Sequence, residues 1–181
     1  MKGNAEQLEK RWQEWFETYH QTIHGYLFTL TRNAHLADDL AQETFIKAWE
    51  KRSSYEERGA AKAFLFQIAT HCLKDFFRRK HETLCDEETW AVMERESGLP
   101  APDDRLERSE EIQRLHLTMK RLSATQQQIL TLRYFSQLKF SEIAEILEMP
   151  INTVLSHAHR GLAALRADLG ADRETDFGKE G

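Results

Sequence analysis

The sequence contains few of the residues that interrupt helices or cross-link chains. Only three prolines, eight glycines and two cysteines occur among its 181 residues. Two cysteines are too few for a disulfide framework, which predicts a reducing compartment. The chain has no run of eighteen apolar residues and no apolar segment behind a basic start, so neither membrane insertion nor secretion is expected. We therefore expect a cytoplasmic protein.

Motifs that mark common enzyme classes are also missing. The sequence has no phosphate-binding loop, no nucleophile elbow and no HExxH metal-binding segment. We therefore expect a protein without enzymatic activity and without a cofactor.

The chain carries a small excess of negative charge, which is unevenly distributed. The net charge of −5 argues against a protein that coats DNA indiscriminately, because such binding depends on many Lys and Arg contacts with phosphates. Between Glu82 and Glu111, eleven acidic residues are opposed by three arginines. This stretch includes SGLPAPDD, 97–104, whose glycine and prolines break helical periodicity. We predict an acidic flexible linker here.

Abundant Leu, Ala, Glu, Gln, Lys and Arg residues favour helices throughout the remainder of the chain. We predict an all-α protein with two small helical domains. Helices are expected at about 8–30, 36–51 and 61–79, around 104–121, and from starts at Ser123, Ser141 and Asn152. The predicted divisions are a first domain at 1–82, the linker at 83–110, a second domain at 111–169 and a flexible tail at 170–181.

The segment ADDLAQETFIKAW, 37–49, predicts an amphipathic helix with an unusual polar face. Acids and an amide surround one aliphatic side chain on that face, whose candidate binding residues are Asp38, Asp39, Gln42, Glu43 and Ile46. A solvated outer face is the simpler interpretation. However, an aliphatic group with charge at its rim is typical of a protein–protein hot spot for a basic partner.

The helix predicted at 61–79 combines aromatic and basic residues on the side opposite its apolar stripe. Exposed aromatics among cations can stack unpaired bases while neutralising phosphates. The candidate nucleic-acid contacts are Phe66, Thr70, His71, Lys74, Phe77, Arg78 and Arg79. Phe66 and Phe77 could instead pack beneath a neighbouring helix or loop.

The segment SEIAEILEMPINTVLSHAHRGLAALR, 141–166, predicts a helix-turn-helix. Its second helix is expected to bury Val154, Ala158, Leu162 and Leu165. The side chains expected to point outward into a DNA groove are Thr153, Ser156, His157 and Arg160. Arg160 and Arg166 are the permanent cations of this helix, and two phosphate contacts give a salt slope of only about −1.8. A larger assembly must supply the remaining affinity.

Other functional interpretations of the sequence remain open. His71, Cys72, His81 and Cys85 lie within fifteen residues and could bind a metal or sense redox state, although Cys72 falls on the predicted core stripe. His20 and His24 could also chelate, but packing among the aromatics of their helix is favoured. A stand-alone helix-turn-helix regulator that binds duplex DNA by itself is a further alternative.

Taken together, three segments of the chain resemble RNA polymerase sigma factors of the extracytoplasmic-function type. ADDLAQETFIKAW resembles the family's region 2 helix, and GAAKAFLFQIATHCLKDFFRRK resembles its promoter-melting segment. LSATQQQILTLRYFSQLKFSEIAEILEMPINTVLSHAHRGLAAL resembles region 4. The blocks occur in the family's order and spacing, which is more specific than a helix-turn-helix alone.

The resemblance implies partners for these surfaces. In the family, the acidic helix docks on the clamp helices of the largest subunit of core RNA polymerase, and Asp38, Asp39, Gln42 and Glu43 fall on that motif. The segment around 55–80 would recognise and open the −10 element of promoter DNA, and the helix at 152–166 would read the −35 element. The acidic linker would extend towards the RNA exit path. The resemblance also implies an anti-sigma factor.

Several residues depart from the family pattern. His71 occupies a usual Asn position, and Phe64 or Leu65 replaces a common Trp. Leu155 and His157 stand where Lys and Arg are frequent, and Glu148 replaces the usual turn glycine. Because a non-glycine residue at positive φ costs on the order of 1 kcal/mol, we expect an adjusted turn.

Overall fold

A computed structural model describes residues 2–53, 61–83 and 117–176, with side chains described over 10–52, 61–80 and 117–168. Every regular element in these ranges is helical, which confirms the all-α prediction. The chain forms two compact units, Met1–Pro100 and Ala101–Gly181, called unit 1 and unit 2 below. The predicted linker lies outside the described residues, except that residue 83 still belongs to a helix.

The described residues of unit 1 form three helices that pack against one another: α1 (Lys2–Thr31), α2 (Ala34–Glu50) and α3 (Ala61–Thr83). Between α1 and α2 the chain reverses through Arg32, whose φ of 54° is left-handed. Asn33 then caps α2, because its side chain accepts a hydrogen bond from the Leu36 N–H at 3.0 Å. The short 3₁₀ turn Lys51–Ser53 follows α2.

Aromatic rings join the three helices of unit 1. Trp12 of α1 contacts Phe45 and Trp49 of α2, with ring centroids 5.9 Å and 5.4 Å away. Trp15 contacts Phe64 of α3 at 6.4 Å. His20 lies 5.9 Å from the Phe45 ring, which confirms the predicted packing of this histidine. Such clusters bury large apolar areas and fix how the helices cross.

Unit 2 contains α4 (Ala124–Leu130), α5 (Phe140–Leu147) and α6 (Ile151–Asp176), and residues 117–120 are also helical. The predicted capping box at the start of α4 is confirmed, since Ser123 and Gln126 exchange two hydrogen bonds at 3.0 Å and 3.3 Å. A π-helical turn, Thr131–Phe135, extends α4. Nothing in the sequence pattern predicted this turn.

Two predictions for α6 are wrong. The helix begins at Ile151, and the Pro150 carbonyl accepts its first hydrogen bonds, from the N–H groups of Thr153 and Val154. Asn152 therefore lies inside the first turn and is not the cap. At the other end, α6 continues to Asp176, so the residues after Gly170 up to that point are helical and are not a tail.

The turn between α5 and α6 keeps the geometry expected for glycine. Glu148 has φ 56° and ψ 42°, so the predicted adjustment does not occur. The N–H of Glu148 donates to the Glu145 carbonyl at 3.2 Å, and that of Met149 donates to the Ala144 carbonyl at 3.0 Å. These bonds satisfy carbonyls at the end of α5 and offset the cost of the left-handed residue.

We expect Glu148→Gly to stabilise unit 2 by about 0.5–1 kcal/mol, because relief of the left-handed strain exceeds the added freedom of the unfolded chain. Hydrogen exchange of the α5 and α6 amides measures this change. Glu145→Gly, inside α5, is the matched control and should destabilise by about 1 kcal/mol. Equal destabilisation by both variants would contradict the strain argument.

Candidate functional surfaces

Helix α2 presents an acidic face that we define as Asp38, Asp39, Gln42, Glu43 and Ile46. Asp38, Asp39 and Gln42 are exposed and Glu43 is half-buried. The opposite side of the helix faces the core, as predicted. The buried residues of that side are Ala37, Leu40, Ala41, Thr44, Phe45 and Ala48.

Ile46 is the unusual member of the acidic face. Its side chain is 60% exposed, although exposing an isoleucine to water does not stabilise the fold. Gln42, Glu43 and Glu50 lie three or four positions away, which places them around it on a helix surface. An exposed aliphatic centre with a polar rim is the arrangement that protein interfaces use for their strongest contacts.

Internal contacts partly neutralise one carboxylate of the acidic face, that of Glu43. Glu43 accepts a hydrogen bond from Lys47, whose Nζ lies 2.7 Å from its Oε1, and Arg79 of α3 lies 3.9 Å from the same oxygen. The hydrogen bond to Glu43 raises the pKa of Lys47, so this lysine stays cationic. Because Glu43 is partly neutralised, Asp38 and Asp39 dominate the negative potential of the face.

The predicted nucleic-acid contacts on α3 require a correction. Phe66 and Thr70 are fully buried and face α1 rather than solvent. The Phe66 ring meets the Tyr26 ring edge-on at 5.4 Å, and the Tyr26 and Thr70 hydroxyl oxygens are 2.9 Å apart. The predicted exposure was wrong because α3 packs against both α1 and α2, which buries more than one stripe of the helix.

The remaining predicted residues of α3 form a surface that we call the basic surface. It consists of His71, Lys74, Phe77, Arg78 and Arg79. Lys74, Arg78 and Arg79 are exposed, while His71 and Phe77 are half-buried. Phe77 is thus the phenylalanine of the predicted set that retains access to solvent. It lies on a helix with three exposed cations, of which Arg78 pairs with Asp75 at 3.1 Å.

The helix-turn-helix in unit 2 buries Val154 and Ala158 as predicted, whereas Leu162 and Leu165 are half-buried. Gly161 is also buried, and a β-carbon there would lie 3.0 Å from a Leu130 methyl group. This glycine allows α6 to approach α4 closely.

The four predicted groove-reading residues of α6 differ in exposure. Ser156 and Arg160 are exposed, but Thr153 and His157 are half-buried. His157 Nδ1 is buried and has no hydrogen-bond partner among the described residues. All four were predicted to point outward, and Thr153 and His157 are less accessible than Ser156 and Arg160. The Ser156 hydroxyl donates to the Asn152 carbonyl at 2.8 Å, and Arg160 Nε donates to the Ser156 carbonyl at 3.3 Å.

Sequence reasoning missed two residues on the outer side of α6. Leu155 is 41% exposed and His159 is exposed. Together with Ser156 and Arg160 they line a shallow surface depression, and we call these four residues the reading face. The signal was present in the sequence, because positions 155, 156, 159 and 160 are neighbours at helical spacing.

The alternative metal site receives no support from the described part of the chain. No group of three or more His, Cys, Asp or Glu residues that could hold a metal occurs there. Cys72 is fully buried, and burial raises the pKa of its thiol. Cys85 and the side chain of His81 lie outside the described residues. None of the helices in the described part of the chain combines the length and the apolar character that a membrane span requires.

Comparisons with known proteins agree with both units. The sigma-70 region 2 model matches residues 15–83, and the sigma-70 region 4 model matches residues 112–165. These ranges include the acidic face, the basic surface and the reading face. The fold resembles that of the sigma factor RpoE from Bartonella quintana, solved in complex with the anti-sigma factor NepR. That match has a TM-score of 0.71 and 23% identity, and covers 90% of this chain and 99% of that one.

Curated relatives cover most of the sequence. The ECF RNA polymerase sigma factor SigX of Bacillus subtilis (strain 168) is 25% identical over 170 residues, covering 92% of this chain and 88% of the relative. The ferric citrate uptake sigma factor FecI of Escherichia coli (strain K12) is 31% identical over 151 residues, covering 81% and 86% respectively. With both conserved regions present and this coverage, the chain belongs to the extracytoplasmic-function family of RNA polymerase sigma factors.

Proposed function

We propose that this sigma factor binds core RNA polymerase through the acidic face of α2. The observation that carries the proposal is the 60% exposure of Ile46 between carboxylates on a helix of region 2. The clamp helices of the largest subunit are the partner that the family resemblance implies. A basic partner would complement Asp38 and Asp39, and Ile46 would supply the desolvated centre of the interface.

Promoter recognition is assigned to two further surfaces. The basic surface of α3 would contact the −10 element, where Lys74, Arg78 and Arg79 can neutralise phosphates and Phe77 can stack on an unpaired base. Phe66 and Thr70 would support this surface from inside the core. The reading face of α6 would enter the major groove at the −35 element.

The reading face favours an apolar contact with DNA. The Ser156 hydroxyl already donates within the helix, whereas the Leu155 methyl groups are exposed beside His159. In the major groove, the methyl group of thymine is the apolar feature of a base edge. We propose that Leu155 contacts a thymine methyl in the −35 element.

Replacing the −35 thymines one at a time with deoxyuridine removes only that methyl group. We expect one position at which transcription by the reconstituted holoenzyme falls about 4-fold, because a buried methyl-sized group contributes about 0.8 kcal/mol. The Leu155→Ala holoenzyme should be insensitive to the same replacement. Deoxyuridine upstream of the element is the control. Equal sensitivity of the two proteins, or none in either, would contradict the contact.

An anti-sigma factor is proposed as a second partner. Its support is that the structurally similar Bartonella quintana protein was solved with one. We place the protein in the cytoplasm, where polymerase acts, and assign it no catalysis of its own. A stand-alone regulator is not favoured, because it would need neither the exposed Ile46 nor the basic surface of α3.

A further inference from the structure

A histidine of α1 contacts one of the carboxylates on the acidic face. His24 Nε2 lies 3.0 Å from the Asp38 Oδ1 atom. The two side chains are 31% and 55% exposed, so the contact lies at the protein surface. The contact connects α1, which contributes no residue to the acidic face, to α2, which carries that face.

The imidazole ring of His24 lies beside an aromatic ring of the same helix. It stacks on the Phe28 ring, with an interplanar angle of 9° and centroids 6.3 Å apart. Phe28 lies one turn further along α1, where side chains of a helix meet. Beside this ring the imidazole presents Nε2 towards Asp38. An imidazole can donate from Nε2 in its cationic form and in the neutral tautomer that carries the proton there.

Asp38 therefore has a restricted side chain, although it is exposed. A free carboxylate on a helix surface samples several rotamers, and ordering it on binding reduces affinity. The 3.0 Å contact at Oδ1 restricts the carboxylate while its exposed side remains available to a partner. The stability of the fold does not account for the contact, because surface ion pairs contribute little to stability.

We propose that His24 is a positioning residue for polymerase docking, which orders Asp38 before the partner arrives. This inference rests on the proposed function of the acidic face. His24→Phe keeps an aromatic ring to stack on Phe28 but removes the donor to Asp38. His24→Gln keeps a donor nitrogen at a similar reach. The two variants separate the polar contact with Asp38 from the packing of the ring.

The experiment measures the Kd of the full-length chain for core RNA polymerase. We expect His24→Phe to weaken binding about 3- to 10-fold, the cost of ordering one side chain on association. His24→Gln should return the Kd to within about twofold of the original. In an Asp38→Ala background, His24→Phe should cause no further loss, because the residue through which it acts is absent.

Three results would overturn the inference. Equal losses from His24→Phe and His24→Gln would show that the donor is irrelevant. An undiminished loss in the Asp38→Ala background would show that His24 acts elsewhere, and both results would leave the docking assignment intact. If Asp38→Ala binds polymerase normally, the docking assignment itself fails, and the role of His24 fails with it. Tryptophan fluorescence during unfolding verifies that each variant retains the fold of unit 1, which contains all four tryptophans.

Discussion

Replacing Asp38 and Asp39 together with lysine is expected to raise the Kd for core RNA polymerase about 100- to 1000-fold. Both side chains are exposed on α2 and dominate the charge of the acidic face, since Glu43 already pairs with Lys47 at 2.7 Å. Reversal would oppose like charges across the interface, which costs several kcal/mol. Equilibrium binding of the purified full-length chain to core polymerase measures the effect.

The fold should survive this double reversal. Substitutions at exposed positions usually change the free energy of unfolding by less than about 0.5 kcal/mol, and loss of the His24 contact adds little at the surface. The matched control reverses Glu14 and Glu17, two exposed acids of α1, and alters the net charge equally. We expect it to bind normally. Equal losses in both variants would mean that total charge, not the acidic face, governs association.

The second large effect is expected at Phe66. Replacement by alanine should lower the free energy of unfolding of unit 1 by about 3–5 kcal/mol, since a fully buried phenylalanine leaves a cavity. The side chain has no solvent exposure and contacts Tyr26 across the α1–α3 interface. Because the free energy of unfolding of a protein is only about 5–15 kcal/mol, this change removes much of the stability of unit 1. Denaturant unfolding followed by tryptophan fluorescence reports it.

Phe77→Ala is the comparison for Phe66. Phe77 is half-buried, so we expect a loss of stability of less than about 2 kcal/mol together with slower promoter opening. Unchanged stability in Phe66→Ala, with a defect confined to promoter opening, would contradict the burial of that ring. It would restore the original sequence-based interpretation.

The contrast between α2 and α3 shows what an amphipathic pattern can predict. On α2 the apolar residues occupy one side, so the exposed position of Ile46 could be read from the sequence. On α3 they extend around much of the helix, through Phe64, Phe66, Ile68 and Phe77. Polarity alone then cannot decide which aromatic residue faces solvent, because that depends on where the neighbouring helices lie.

Helix caps and turn conformations were predictable only where a side chain determines them. The Ser123 cap was correct because its hydroxyl and Gln126 form a self-contained pair. The Asn152 cap was wrong because the Pro150 carbonyl accepts the first helical bonds instead. Glu148 adopts a conformation that its own preference disfavours, since the helices on both sides of the turn fix the backbone there.

The candidate surfaces were likewise predictable where their residues lie on one helix, and not where they come from two helices. Sequence reasoning selected the acidic face as a set, and its members lie on one side of α2. It did not anticipate His24 beside Asp38 at 3.0 Å, because the two residues come from different helices and no local spacing relates them. Leu155 was recognised only as a departure from the family pattern, and its exposure of 41% gives it a candidate role.

Run-off transcription on a genomic library, with core RNA polymerase from the same organism, tests the central claim most directly. We expect specific start sites that depend on this chain, and their loss with the Asp38→Lys/Asp39→Lys variant. Absence of chain-dependent initiation, combined with tight binding of the isolated chain to one duplex sequence, would contradict the account.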